Sequence, residues 1–259
     1  MKSILFSLLV IFPVALGGQE KSPEGITSGK ITYEEIAKLQ IKLEGDASQM
    51  AGMLPKERKS EKILTFTEEA TLFEDGASNV EDEMVTHDSG DGGVRIKMIV
   101  SGANKTYTDL IDKKVIDQRD FMNRLFLVEK ELPEMAWKVT GNQKDILGYL
   151  CVEAVKQDTA GNKTIAWFAP SIKISGGPAG FCNLPGMILG IDINGGSRTL
   201  TAKSIEPAAP GEMKILRPKE GKKVSEEEYN RLVAEKMKEM GMEQGGEGGG
   251  DQIRIVIRH

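Results

Sequence analysis

The chain has 259 residues, of which 39% are apolar and 28% are charged, and its formal net charge is -5. The apolar fraction is sufficient for a buried core, so the composition favours one large globular domain or two small ones. The small negative charge argues against both a basic nucleic-acid binder and a polyanionic tail, and we expect no nucleic-acid partner.

The N-terminus has the pattern of a cleavable secretory signal peptide over residues 1–18. Lys2 supplies a positive charge, residues 4–16 form an apolar run, and Gly17 is a small residue suited to a cleavage site. The alternative is a membrane anchor. It is disfavoured because the run contains Pro13 and is shorter than the roughly 20 residues that span a bilayer. We therefore expect export to the periplasm or cell surface, with no transmembrane segment after processing.

After a polar leader at 19–28, residues 29–205 repeat short segments in which apolar and polar residues alternate between turn-forming residues. Lys30 to Leu43 is predicted as one long bent strand, and Asn194-Gly195-Gly196 as a tight hairpin turn. This pattern predicts a mainly β fold, a strongly curved antiparallel sheet shaped as a bowl or a half-barrel meander. The other predicted strands cover residues 62–67, 70–74, 94–100, 106–111, 115–120, 124–128, 136–139, 148–156, 164–168, 187–193 and 198–205.

The chain changes character after the β domain. Residues 206–223 are predicted as a linker, and residues 224–241 as one helix that begins with a capping box from Ser225 to Glu228. Apolar residues then recur at helical spacing, which predicts that this face of the helix packs on the sheet. The side chains expected to face the sheet are Leu232, Val233 and Met237.

A Gly-rich linker at 242–251 leads to a predicted strand at 252–259. A lone strand is unstable in water, so this one must pair with another. We expect it to cover an edge of this protein's own sheet, because the short linker keeps its local concentration high. The alternative is addition to the sheet of another protein.

Few residues support catalysis. His87 and His259 are the two histidines, which leaves little material for a Ser-His-acid triad or a His-rich zinc site, and no cofactor is predicted. The 39 acidic residues leave room for a carboxylate pair acting on glycans. A solvated loop is the simpler interpretation of the acidic residues 75–93, with Ca²⁺ binding as the alternative. The candidate Ca²⁺ ligands are Asp82, Asp88 and Asp91.

The chain contains two cysteines and two tryptophans. In an oxidising compartment Cys151 and Cys182 are a candidate disulfide, with two separate buried thiols as the alternative, and we expect the bond. Trp137 and Trp167 each lie in a predicted strand. They form either a ligand surface or, by default, part of the core.

Residues 132–205 resemble the GLPGLI family, exported proteins of Bacteroidetes-type bacteria. The resemblance rests on Trp137, residues 146–151 and 166–170, and on a segment that reads Asn-Leu-Pro-Gly-Met-Ile here. Asn183 stands in place of Gly and Met187 in place of Leu of the family motif, and Cys182 precedes it where a Gly is expected. Asn tolerates a left-handed backbone, so the turn is expected to survive. The motif residues are Pro178, Asn183, Leu184, Pro185, Gly186, Met187 and Ile188.

The resemblance implies an exported protein of unknown function. Its domain would be similar to a bowl-like N-terminal module of some bacterial peptide-N-glycosidases, and no catalytic residue is implied. The prolines and glycines of the motif stiffen a loop between two strands, which favours a structural corner over a ligand site.

Three functions remain open. The favoured one is a non-catalytic binding or accessory protein of the cell envelope that holds an unknown ligand or envelope protein. The second is an envelope enzyme acting on glycans, and the third is a structural partner of an outer-membrane receptor. An apolar concavity would favour the first, facing carboxyls in a polar cleft the second, and a filled concavity with an exposed strand edge the third.

Overall fold

The computed structural model describes residues 25–39, 41–42, 55–76, 95–97, 104–159, 161–239 and 252–255. The predicted signal peptide, most of the leader and the three aspartates proposed for Ca²⁺ lie outside these residues.

Twelve described strands form one open sheet with β1 near its centre. From β1 the chain builds one wing outward through β3, β4, β6, β7 and β8. Residues 132–137 then cross to the opposite edge, and β9 to β13 return to the centre, where β13 pairs with β1. The predicted curved, mainly β fold with one helix is confirmed. The strands are β1 Gly29–Lys38, β2 Ile41–Lys42, β3 Glu57–Phe66, β4 Ala70–Asp75, β5 Arg95–Lys97, β6 Lys105–Asp109, β7 Lys114–Phe121, β8 Arg124–Glu131, β9 Lys138–Ile146, β10 Tyr149–Gln157, β11 Lys163–Ala169, β12 Met187–Ile193, β13 Arg198–Pro207, β14 Lys222–Val224 and β15 Gln252–Ile255.

A second, three-stranded sheet contains β2, β15 and β5. The prediction of one strand from Lys30 to Leu43 is therefore wrong, since β1 ends at Lys38 and β2 belongs to the other sheet. The C-terminal strand pairs within its own chain, as expected. It does so with β2 and β5, however, and not along an edge of the large sheet.

A segment that we call the corner segment, residues 170–186, joins β11 to β12 and fills the concave face of the sheet. Its Ile172, Ile174 and Leu184 are buried in one apolar cluster with side chains of β1, β3 and β4. Tyr33 of β1 reaches across this core and donates a hydrogen bond to the carbonyl oxygen of Ile188 at 2.6 Å. One core shared by strands so far apart in the sheet requires the sheet to curve.

The wing from β6 to β8 is covered on both faces. On one face lies helix α1, Glu226–Glu239, whose Tyr229 packs on Phe126 and Val128. On the other face Ile215 packs on a small cluster around Ile116. The predicted linker is therefore only partly a connection, because it packs on the sheet and then forms β14, which pairs with β8 in parallel.

Candidate functional site: the open edge and the filled concave face

Strand β9 is an open edge of the large sheet. Eight of its nine residues, from Lys138 to Asp145, are exposed, and among the described strands β10 is its single neighbour. Gly141 has a φ of +86°, and the register with β10 shifts there. Thr140 and Asn142 on either side both donate hydrogen bonds to Glu153, at 2.7 and 3.1 Å. Bulges and lysines are features that prevent unselective pairing at a sheet edge, and β9 carries both.

The β9–β10 turn holds a leucine in an unfavourable backbone conformation. Leu147 and Gly148 have φ values of +56° and +79°, the pattern of a two-residue type I′ turn. Such turns prefer Asn-Gly, because a larger L-residue with positive φ costs about 1 kcal/mol or more. The carboxylate of Asp145 accepts the N–H of Gly148 at 3.0 Å and helps to hold the turn. The backbone thus fixes Leu147 at the tip despite this cost.

The same hairpin is unusually apolar on its surface. Among the large apolar side chains exposed in the described residues, three belong to it: Val139, Leu147 and Leu150. Leu147 is 44% exposed and Leu150 is 57% exposed. Val139 lies opposite Ala154, away from the turn, whereas Leu147 and Leu150 lie at or next to it. We call the part of this hairpin from Asp145 to Leu150 the hairpin tip.

The family-like motif forms a tight corner over the core. Leu184, Met187 and Ile188 are buried, and Gly186 bends the chain through a hydrogen bond from its N–H to the carbonyl of Leu184 at 2.8 Å. A side chain at Gly186 would overlap the carbonyl of Ala169. Pro178, also buried, opens a short 3₁₀ turn over Pro178–Gly180. Packing and backbone geometry in this corner therefore explain why the motif contains these prolines, glycines and apolar residues.

The corner segment is also tied to the chain that crosses between the wings. Asn183 has a φ of +67°, and its side-chain amide donates to the carbonyl of Pro133 at 3.4 Å. Trp137 donates its indole N–H to the carbonyl of Cys182 at 2.8 Å and packs on Phe181. Pro185 is exposed beside Gly186. The corner segment is thus held both by the core beneath it and by the crossing chain at residues 132–137.

The predicted disulfide is wrong, because Cys151 and Cys182 are free buried thiols. Cys151 lies in the main core beside Tyr33, whereas Cys182 lies in the corner segment with its carbonyl bonded to Trp137. Burial raises the pKa of each thiol to about 11, which makes both weak nucleophiles. Spacing along the sequence did not reveal that the two side chains pack in different surroundings.

The tryptophans proposed as a ligand surface are engaged by the protein itself. Both are half-buried and pack against the main core. The ammonium of Lys144 lies 4.2 Å from the ring centroid of Trp167, a cation–π arrangement. Burial there lowers the pKa of Lys144. Trp137 makes the corner contacts given above, so neither ring is a free platform for a ligand.

A second charged feature lies on the concave side of β1. Glu35 is 8% exposed and contacts Arg198, Ser60 and Lys62, and Lys62 also pairs with Asp75. Burial raises the pKa of Glu35, but the two cations outweigh it and hold the pKa below its ordinary value. A glycosidase general acid needs a raised pKa. With its lowered pKa, Glu35 is therefore poorly suited to be the proton donor of glycan hydrolysis.

The described residues contain neither a cluster of metal-ligating side chains nor a membrane-spanning helix. No group of three or more His, Cys, Asp or Glu side chains there is arranged to hold a metal ion. Within the same part of the chain, no helix has the length and apolar character needed to cross a bilayer.

Sequence reasoning did not identify the hairpin tip. β9 reads Lys-Val-Thr-Gly-Asn-Gln-Lys-Asp-Ile, which lacks the alternation of a half-buried strand because both of its faces are exposed. The available signal was the Leu-Gly pair between Asp145 and Tyr149, in a place where a type I′ turn prefers Asn-Gly.

Comparison with known proteins adds evidence on the fold alone. No family model and no curated protein matches the chain, so the GLPGLI resemblance stays a prediction. Two crystal forms of PNGF-II match with TM-scores of 0.51 and 0.53 at 17% and 16% identity. Each match covers 80% of this chain, and the chain spans about a third of PNGF-II, 32% and 33%.

An uncharacterised conserved protein from Thermus thermophilus matches with a TM-score of 0.39 at 9% identity, over 77% of this chain and 91% of that one. At these identities the matches with PNGF-II show a shared β architecture alone.

Proposed function

We propose that this chain is an exported, non-catalytic protein of the cell envelope that binds a partner protein through the hairpin tip of β9–β10. Export follows from the signal-peptide pattern. The observation that carries the binding role is Leu147, an exposed leucine held at positive φ beside exposed Leu150 on an open sheet edge. The partner is a protein with an apolar pocket for these leucines, and an outer-membrane receptor is the class we favour.

The concave face supports a protein partner over a small ligand. A binding or accessory role through an apolar cavity would need an empty concavity, but the corner segment occupies it with Ile172, Ile174 and Leu184. A filled concavity and an exposed edge are the combination that favours a protein partner. Exposed apolar anchors on a rigid turn are suited to such recognition, because little conformational freedom is lost on binding.

Site-specific photo-crosslinking in the native envelope tests this function. A photoreactive residue is placed at Leu150, with the same residue at Ile111 as the matched control. Ile111 is 68% exposed and lies in the β6–β7 turn, a hairpin on the other wing. We expect one discrete protein crosslinked from position 150 and absent from position 111. Identical patterns from the two positions, or none from position 150, would contradict the proposal.

A further inference from the structure

Helix α1 is attached to the sheet by few contacts. Tyr229 is buried, and Leu232 and Val233 are half-buried against the small cluster of Phe126 and Val128. An isolated helix of 14 residues is marginal in water, so α1 depends on this packing. Contacts as sparse as these mark a unit that opens at lower free energy than the core strands.

The N-terminal end of α1 is held by charge. Glu226 accepts hydrogen bonds from Arg119 at 2.8 Å and from Lys130 at 3.3 Å. The same two cations bind Asp117, each at 2.9 Å, and Arg119 also lies 4.9 Å from the ring centroid of Tyr229. The sheet therefore contributes two cations and one carboxylate, and the helix brings the second carboxylate that balances them. We call Asp117, Arg119 and Lys130 the ionic seat.

This charge cluster differs from the one around Glu35, because there all four charged groups belong to strands of the sheet and none comes from the helix. If α1 leaves, the ionic seat keeps one uncompensated positive charge. Burial raises the pKa of Glu226, but the hydrogen bond and charge of Arg119 outweigh it and lower the pKa, so this carboxylate stays ionised when seated.

We propose that α1 is a releasable strap, held on β7 and β8 by Glu226 in the ionic seat, that opens while the rest of the sheet stays folded. Ser225 is the single residue between β14 and α1, and it caps the helix by accepting the N–H of Glu228 at 3.1 Å. They open together. Opening uncovers Phe126 and Val128 and removes the three-residue strand β14 from the edge of β8. The strap therefore controls access to a second edge of the sheet.

Hydrogen exchange followed by mass spectrometry on the full secreted chain tests the strap. The variant is Glu226→Gln, and the matched control is Glu235→Gln, which removes the same charge from an exposed position of the same helix. We expect exchange of residues 222–239 to rise about fivefold in Glu226→Gln and to change little in the control, the scale of an ion-pair loss. Exchange in β1 and β13 should stay at the wild-type rate in both.

Salt supplies a second measurement. At about 1 M NaCl, where the Debye length is roughly 3 Å, wild-type exchange in 222–239 should approach that of Glu226→Gln, because screening weakens the seat. Equal exchange in Glu226→Gln and Glu235→Gln would overturn the proposal. So would a rise in β1 and β13 that matches the rise in α1, since the whole sheet would then be opening.

Discussion

At one edge of the large sheet, β8 is covered by β14 and α1, and an ionic seat holds the helix in place. At the other edge, β9 has eight exposed residues, and its turn presents Leu147 and Leu150 to solvent. The first edge covers Phe126 and Val128 within the chain, although Met122 in the β7–β8 turn is 39% exposed at a φ of +54°. The second leaves apolar groups outside and holds one of them in a strained conformation.

We interpret the covered β8 edge as contributing to stability and the exposed β9 edge as available for recognition of a partner. Proteins commonly cover sheet edges or guard them against unselective pairing, as β8 and the bulged part of β9 are covered or guarded here. The uncovered apolar tip of the β9–β10 hairpin is the part for which we propose an external role. The corner segment completes a core shared by β1, β3, β4 and the strands from β9 to β13.

The largest expected effect comes from breaking that shared core. Gly186→Ala places a methyl group against the carbonyl of Ala169, and we expect a loss of about 3 kcal/mol in the free energy of unfolding, measured by urea denaturation. The control is Gly211→Ala, which has a similar need for positive φ but open space around it, so about 1 kcal/mol is expected. Equal losses would show that the corner is not tightly packed.

The charge clusters give the next effect. Glu35→Gln leaves Arg198 and Lys62 with one buried partner fewer, and a loss of about 2 to 3 kcal/mol is expected. Glu226→Gln, at the exposed end of the ionic seat, should cost less than about 1 kcal/mol. Denaturant titration of both variants checks this order, and the reverse order would contradict it.

The same clusters predict how stability depends on pH. The folded pKa values of Glu35 and Asp117 are lowered, because their cations outweigh the effect of burial. Their contribution is complete above the ordinary carboxylate range and is lost as the pH falls through the lowered values. The free energy of unfolding should therefore decrease below about pH 4, and Glu35→Gln should flatten that decrease. An unchanged slope in Glu35→Gln would assign the acid sensitivity to other groups.

At the open edge we expect a substitution that increases, and does not decrease, the free energy of unfolding. Leu147→Asn puts a residue suited to a type I′ turn at a φ of +56°, and we expect it to stabilise the protein by about 1 kcal/mol. Ile111→Asn, at the turn of the other wing, should change stability by less than about 0.5 kcal/mol. A destabilised Leu147→Asn would mean that Leu147 packs within the molecule and is not held there for an external contact.

The smallest expected effect is that of a reducing agent on the melting temperature. Because Cys151 and Cys182 are free thiols, reducing agent should leave the melting temperature unchanged. Two thiols should titrate in unfolded, non-reduced protein. A melting temperature that falls on reduction would restore the disulfide and would tie the β9–β10 hairpin to the corner segment.

The parts of the fold that sequence predicted are those with local signals. The hairpin of β12 and β13 and its Asn194-Gly195-Gly196 turn reappear, with φ values of +50°, +62° and +83° at the turn. The capping box also holds, since Ser225 accepts the N–H of Glu228. Leu232 and Val233 face the sheet as predicted, whereas the side chain of Met237 lies outside the described residues.

The parts that sequence missed depend on long-range contacts. β9 shows no alternation because neither face is buried, and residues 208–220 read as a linker because Ile215 alone marks their packing. The two thiols have no local signal for their separation. The candidate site was missed for the same reason, since the exposure of Leu147 and Leu150 is a property of the assembled sheet.

Binding to the partner crosslinked from position 150 tests the central claim most directly. The measurement compares the affinity of wild type, of the double variant Leu147→Asn with Leu150→Thr, and of Ile111→Asn. Our account predicts at least about a tenfold loss for the double variant, the scale of two interface anchors, with no loss for the control. Because Leu147→Asn is expected to stabilise the fold, such a loss would not reflect unfolding. Equal affinity for wild type and the double variant would contradict the assignment of the hairpin tip as the binding surface.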